Sequence, residues 1–340
     1  MKRVLAAVMA LLCIAPAVQA QIDRASLAGT VKDSAGGVLQ GATVTVTNVA
    51  TNVASKATTS SSGTFLVVNL QSGQYLVEAE AQGLQKAVQS VILEIGQRGR
   101  VDISLSVGSM SESVTVEGVR RLLNTEDATL GSVIDQSAVA NLPLAIRNWD
   151  DLLALVPGVQ GDRFTEQGGG TSFGRTGGVN VHGSRSLQNN FLLDGVDNNS
   201  ISTNVQELTS QVSRPSVDSI QEFKVVTSPY AAEYGRSPGA AISVSTKSGT
   251  NEFHGTVYDF YRNEKMDAND FFSKRAGRSK PANDQNQFGA NLGGPIIKDK
   301  AFFFVDYEGT RIPRGVTRLT RVPTADERAA GSEPRRFWCV

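Results

Sequence analysis

Over its first third the chain alternates apolar and polar residues in short runs. Ala42, Val44 and Val46 interleave with Thr43, Thr45 and Thr47. Tyr75, Val77, Ala79 and Ala81 interleave with Leu76, Glu78, Glu80 and Gln82. Val101, Ile103, Leu105 and Val107 interleave with Asp102, Ser104 and Ser106. A period of two sends successive side chains to opposite faces of a strand, one set to a core and the other to water. Gly36-Gly37, Ser62-Gly63 and Ser72-Gly73 punctuate the runs as turns. No helical period interrupts them. About seven short strands over residues 22–108 fit an Ig-like β-sandwich.

The pattern then changes twice. Residues 109–121 are Ser- and Glu-rich around a strand-forming Ser113-Val114-Thr115-Val116, which suits an extended linker. Residues 122–247 are mixed. Trp149, Leu152, Leu153 and Val156 share one helix face, and Pro157-Gly158 ends it. A Gly-rich loop covers 166–178. Short strands are expected at Val179 to His182, Phe191 to Leu193, Gln221 to Val226 and Ala241 to Thr246, with a tight turn at Asp194-Gly195. From Asn251 the runs lengthen and become aromatic: NEFHGTVYDFYRNE, QFGANLGGPII and AFFFVDYEGT. In the last, Phe303, Val305 and Tyr307 alternate with Phe304, Asp306 and Glu308. That suits a barrel strand with one face to lipid and the charged face to a polar lumen. The fold class is therefore mainly β: a sandwich, an α+β domain and the first strands of a barrel.

Composition narrows the setting. The 340 residues carry 33 basic and 33 acidic side chains, with no basic patch for nucleic acid. After the start there is no apolar run long enough for a transmembrane helix, so any membrane crossing must use strands. Residues 1–20 have a charged start at Lys2 and Arg3, an apolar stretch from Val4 to Ile14 and small residues at Val18-Gln19-Ala20. They are expected to be a secretory signal. Leu11-Leu12 before Cys13 argues against lipidation. Removal of the signal leaves Cys339 and no intrachain disulfide.

Two sets of residues carry a family resemblance. Gly29-Thr30-Val31, Gly41-Ala42-Thr43-Val44, Gly63-Thr64-Phe65, Leu70, Gly73-Gln74-Tyr75 and Gly83-Leu84 resemble a carboxypeptidase-regulatory-like domain. NLPLAIRNWDDLLALVPGV at 141–159, VNVHGSRSLQNNFLLDGVDNN at 179–199, the long stretch 216–263 and 286–309 resemble TonB-dependent receptors that carry such a domain in front. The resemblance implies a plug at 122–247 and barrel strands at 248–325, with residues 326–340 atypical. It also implies that Ser113, Val114, Thr115 and Val116 form a TonB box, which would pair as an added strand with the inner-membrane protein TonB. The residues alone leave open a last sandwich strand or a plain linker. A barrel of this family has about 22 strands of about 9–11 residues. Residues 248–340 supply only a few, so a truncated N-terminal portion, not competent for transport by itself, is expected. Outer-membrane location, lipid contact of the full-length form and an unidentified ligand follow from the same resemblance.

Candidate chemistry is sparse. With 2 His, each without a following ligand pair, zinc peptidase chemistry lacks its donors. Gly170-Thr171-Ser172-Phe173-Gly174 matches a nucleophile elbow in letters, but Gly flanks replace the strand and helix it needs. The same loop lacks the Gly-Lys-Ser/Thr end of a phosphate loop. Asp194, Asp197, Asn198 and Asn199 could bind calcium or simply close a turn. Arg163, Phe173, Arg175 and Arg185 are candidates to face a ligand from the plug; the arginines could equally pair with barrel carboxylates. No catalysis and no cofactor are expected. The other function considered is an adhesin-like protein whose sandwich binds carbohydrate or protein.

Overall fold

The computed structural model describes residues 23–313, apart from 109–112, 123–128, 143, 145–146, 162–178, 185–187, 200–210, 229–238, 270, 278 and 281–283. The signal segment 1–20, both cysteines, the Gly-rich loop 166–178 and the tail 326–340 lie outside the described residues. By contacts the chain divides into two units, one made of residues up to 257 with 290–307, the other of 258–289 and 308 onward.

The first part is a two-sheet sandwich. One sheet orders β4 (Thr64–Leu70), β1 (Ala25–Asp33) and β7 (Arg98–Arg100), with β8 (Ile103–Leu105) also on β1. The other orders β3 (Ala54–Thr58), β2 (Thr43–Asn48), β5 (Gly73–Glu80), β6 (Lys86–Leu93) and β9 (Ser113–Arg121). The period of two did its work: Ala42, Val44, Val46, Val77, Ala79 and Leu105 are fully buried between the sheets. Val107 departs from it and is exposed, because β8 and its ladder with β1 end at Leu105 and Val107 makes only an isolated bridge to Leu84. Within that first sheet the chain after β7 runs so close to Gly29 of β1 that a Cβ there would lie 1.7 Å from the Val101 carbonyl oxygen. Only glycine fits that approach.

The second part is α+β. Its five-stranded sheet orders β10 (Leu130–Ile134), β15 (Ile220–Ser228), β16 (Ala241–Thr246), β13 (Asn190–Leu193) and β14 (Val196–Asp197). The short helix α1 (Gln136–Asn141) and the hairpin of β11 (Val159–Gly161) with β12 (Val179–Val181) complete it. The expected helix face at 149–156 is buried as anticipated, but the element is a 3₁₀ turn, Trp149–Leu155. Residues three apart eclipse in a 3₁₀ turn, so Trp149 with Leu152 and Leu153 with Val156 satisfy either helix type. Trp149 sits edge-on to Phe191 at 6.3 Å and tilted to Phe223 at 5.4 Å, the centre of a second core.

Beyond Asn251, β17 (His254–Arg262), β18 (Gln285–Ile297) and β19 (Ala301–Arg311) pair in that order, and no closed barrel is formed among the described residues. Along β19, Val305 and Tyr307 are exposed at 62% and 65%, while Asp306 and Glu308 between them are half-buried. The charged side chains find polar partners. The Ser216 hydroxyl donates to Asp306 Oδ2 at 2.7 Å. Tyr258 Oη and Gln287 Nε2 both donate to Glu308, each at 2.9 Å. The fold is thus mainly β: an Ig-like sandwich, an α+β domain and three long paired strands that close no barrel among the described residues.

Candidate functional site

Ser113, Val114, Thr115 and Val116 form the first half of β9, whose backbone pairs in parallel with β6. The register sets Lys86 against Ser113, Ala87 against Val114, Val88 against Thr115 and Gln89 against Val116. An irregularity follows, and pairing resumes with Val91 against Arg120 and Ile92 against Arg121. β9 is the terminal strand of its sheet, so among the described residues its far edge has no partner.

Just past this strand the sandwich meets the α+β domain through polar groups. The turn after β6 presents Ile95 and Gly96 to β15. The Ile95 amide donates to Glu222 Oε1 at 2.6 Å, and Lys224 Nζ donates to the Gly96 carbonyl at 3.3 Å. Gln97 Nε2 donates to the Leu122 carbonyl at 2.8 Å. Arg121 pairs with Asp135 at 3.1 Å and with Glu94 at 3.9 Å. Asp135 in turn caps α1 by accepting from the Ala138 amide at 3.0 Å. That amide, with Arg121 beside it, holds the Asp135 carboxyl below the usual range.

Two acids in this region titrate high. Burial pushes Glu222 up to about 7, helped by the charges of Glu94 and Asp135 and opposed by hydrogen bonds from Ser72 and the Ile95 amide. Burial pushes Asp23 up to about 6. Ser243 and the Gly195 amide offset this in part, but neither carboxylate oxygen of Asp23 reaches a partner of good hydrogen-bond geometry among the described residues. A polar crevice of about 760 Å³ opens beside Asp23, lined by Arg24, Asn48, Lys247, His254 and Asn291 among others.

The remaining sequence candidates fall as follows. Arg163, Phe173, Arg175 and Arg185 lie outside the described residues. Asp194 and Gly195 form the two-residue turn between β13 and β14, both at positive φ, 49° and 78°. Asp194 accepts from the Thr246 amide and hydroxyl, each at 2.8 Å. Asp197 accepts from the Asn199 amide, and Asn198 exchanges bonds with the Ser213 backbone. Only Asp197 closes a local turn in this way; the side chains of Asp194 and Asn198 tie the hairpin to segments distant in sequence. Among the described residues no three His, Cys, Asp or Glu gather as metal ligands.

Three family descriptions match in chain order. Residues 26–106 match the carboxypeptidase regulatory-like domain, 125–242 the TonB-dependent receptor plug domain and 245–335 an outer membrane beta barrel domain. The TonB-dependent transporter Oar of Myxococcus xanthus is 28% identical over 281 residues, which is 78% of this chain and 25% of that protein. The chain belongs to the TonB-dependent receptor family. The probable TonB-dependent siderophore receptor PirA of Acinetobacter baumannii is 34% identical over 83 residues, 24% of this chain and 9% of that protein. Its crystal structure superposes with a TM-score of 0.40 at 24% identity, covering 54% of this chain and 24% of that one. The chain thus spans a quarter or less of the curated relatives it matches. As in the rest of this receptor family, the membrane to which its barrel strands belong is the Gram-negative outer membrane.

The contacts of Glu222, Lys224 and Asp23 escaped sequence reasoning. Glu222 and Lys224 alternate with Phe223 and Val225, which reads as a strand with one wet face. In the fold both faces of β15 are covered, one by the Trp149 core and the other by the sandwich turn. Two opposite charges two residues apart, interleaved with Phe223 and Val225, were the available signal.

Proposed function

We propose that this chain is the periplasm-facing front of an energy-coupled outer-membrane transporter, in which Ser113–Val116 is the segment that TonB engages. The observation that carries the reading is the bond from Ser216, in the plug domain, to Asp306 on β19. A plug lodged in a barrel needs polar side chains to meet lumen-facing charge, because a buried carboxylate without a partner is costly. In this reading Val305 and Tyr307 face lipid, a ligand bound outside shifts the plug, and TonB draws on the extended segment below it. The work is conformational and no residue is assigned to catalysis. The relatives named above are a transporter and a siderophore receptor, which makes a ferric chelate the first ligand class to screen.

The test is capture of the full chain on the immobilised periplasmic domain of TonB, with and without residues 111–118. Loss of at least ten-fold in binding on deletion is expected. Equal capture of both forms removes the assignment of Ser113–Val116.

A further inference from the structure

We infer that β9 is a docking edge: the Ser113–Val116 segment stays paired to β6 while TonB adds an extended strand to its open side, so that the sandwich takes the pull. This rests on the reading of that segment as the TonB box and specifies how the box is presented.

The geometry gives three reasons. First, the box is not a loose tether, since each of its four residues has a registered partner on β6. Peeling it away would break that ladder before any new bond formed. Addition to the far edge breaks nothing among the described residues and uses backbone groups that are already extended and, among those residues, unpaired. Second, the irregularity between the Gln89 and Val91 pairings separates the box from the rest of β9. The box is thus a short, regular edge, and the second half of the strand is its anchor. Third, the anchor is tied to the plug domain. Arg121 bridges to Asp135 at the N-terminus of α1, Gln97 holds the Leu122 carbonyl, and the neighbouring turn is bonded to Glu222 and Lys224 of β15. Force applied along β9 therefore reaches the plug sheet through the sandwich. The other terminal strand of the same sheet, β3, is only five residues long and carries Lys56, a charge of the kind that guards an edge against pairing.

A disulfide staple separates docking from peeling. Val88 and Thr115 are paired positions of β6 and β9 inside the box, and neighbouring strands bring such pairs within disulfide reach. The full chain carrying Val88→Cys and Thr115→Cys, with Cys13 and Cys339 changed to Ser, is titrated with the periplasmic domain of TonB before and after reduction. Oxidised and reduced protein are expected to bind within two-fold of each other, with β6 amides keeping their hydrogen-exchange protection in the complex. A ten-fold loss in the oxidised form, restored by reduction, means that the strand must leave the sheet and overturns the proposal. Failure of the staple to form overturns it too, because the pairing is then absent. Deletion of 111–118 runs alongside: if it leaves binding intact, the box assignment itself falls, whatever the staple does.

Discussion

Glu222 places a carboxylate where ionisation is expensive, and the cost makes a pH signature. Its folded value is about 7 against 4.5 for the free side chain. The folded state therefore holds the proton more tightly than the unfolded chain does. Below pH 4.5 both states are protonated and nothing is lost. As pH rises toward 7 the unfolded chain ionises first, and stability falls by roughly 3 kcal/mol before levelling off. Glu222→Gln keeps an oxygen to accept the Ile95 amide and removes the charge. Its melting temperature is expected to match the parent at pH 4.5 and to exceed it at pH 8. A parent and variant that fall in parallel between those values would show that Glu222 does not govern the trend. Asp23, raised to about 6, adds a second loss in the lower half of the same window, which the variant retains.

At the scale of elements, the β13–β14 hairpin shows how a two-residue signal fixes a larger piece. Asp194 and Gly195 both take positive φ, as a turn matched to strand twist requires. The Asp194 carboxylate then reaches across to Thr246 and pins the end of β16. Gly195→Ala puts a side chain at φ 78° and is expected to cost about 1–2 kcal/mol. Chemical denaturation of the full chain with Trp338→Phe, followed through Trp149, would read that loss, and an unchanged midpoint would rule it out. This turn was legible in the sequence, as were the sandwich strands and the alternation of β19, because each depends on local period and turn chemistry. The 3₁₀ form of Trp149–Leu155 was not, since spacings of three suit both helix types. Nor was the burial of Glu222 and Lys224: alternation reports that a strand has two faces and is silent on what covers the second. The pairing of Ser113–Val116 with β6 belongs to the same class, a contact between segments that no local pattern encodes.

The whole molecule has separate cores joined by polar contacts, and that division sets how it should unfold. One core lies between the sandwich sheets; the other surrounds Trp149, Phe191 and Phe223. What joins these two is hydrogen bonds at Ile95, Gly96, Gln97 and Ser72, the contacts of Asp23 with Ser243 and Gly195, and the ion pairs of Arg121; each has modest net worth, the buried ones because Glu222 and Asp23 carry the cost of their own burial. Such a junction couples its neighbours weakly, so each core should melt on its own terms. The chain has 2 Trp, so Trp338→Phe leaves Trp149 as a reporter inside the second core. In that background Gly29→Ala drives a methyl into the Val101 carbonyl and the Phe65 ring of the sandwich. Overpacking of this kind costs about 1–3 kcal/mol. For a domain of this size that is a drop of about 5–20 °C in melting temperature. The fall is expected in the far-UV circular dichroism of the sandwich, while the Trp149 emission transition stays within about 2 °C of the parent, the shift of well under 1 kcal/mol allowed by a weak junction. Equal displacement of both signals would mean that sandwich and plug unfold as one cooperative body, with the junction far stronger than its few polar contacts imply.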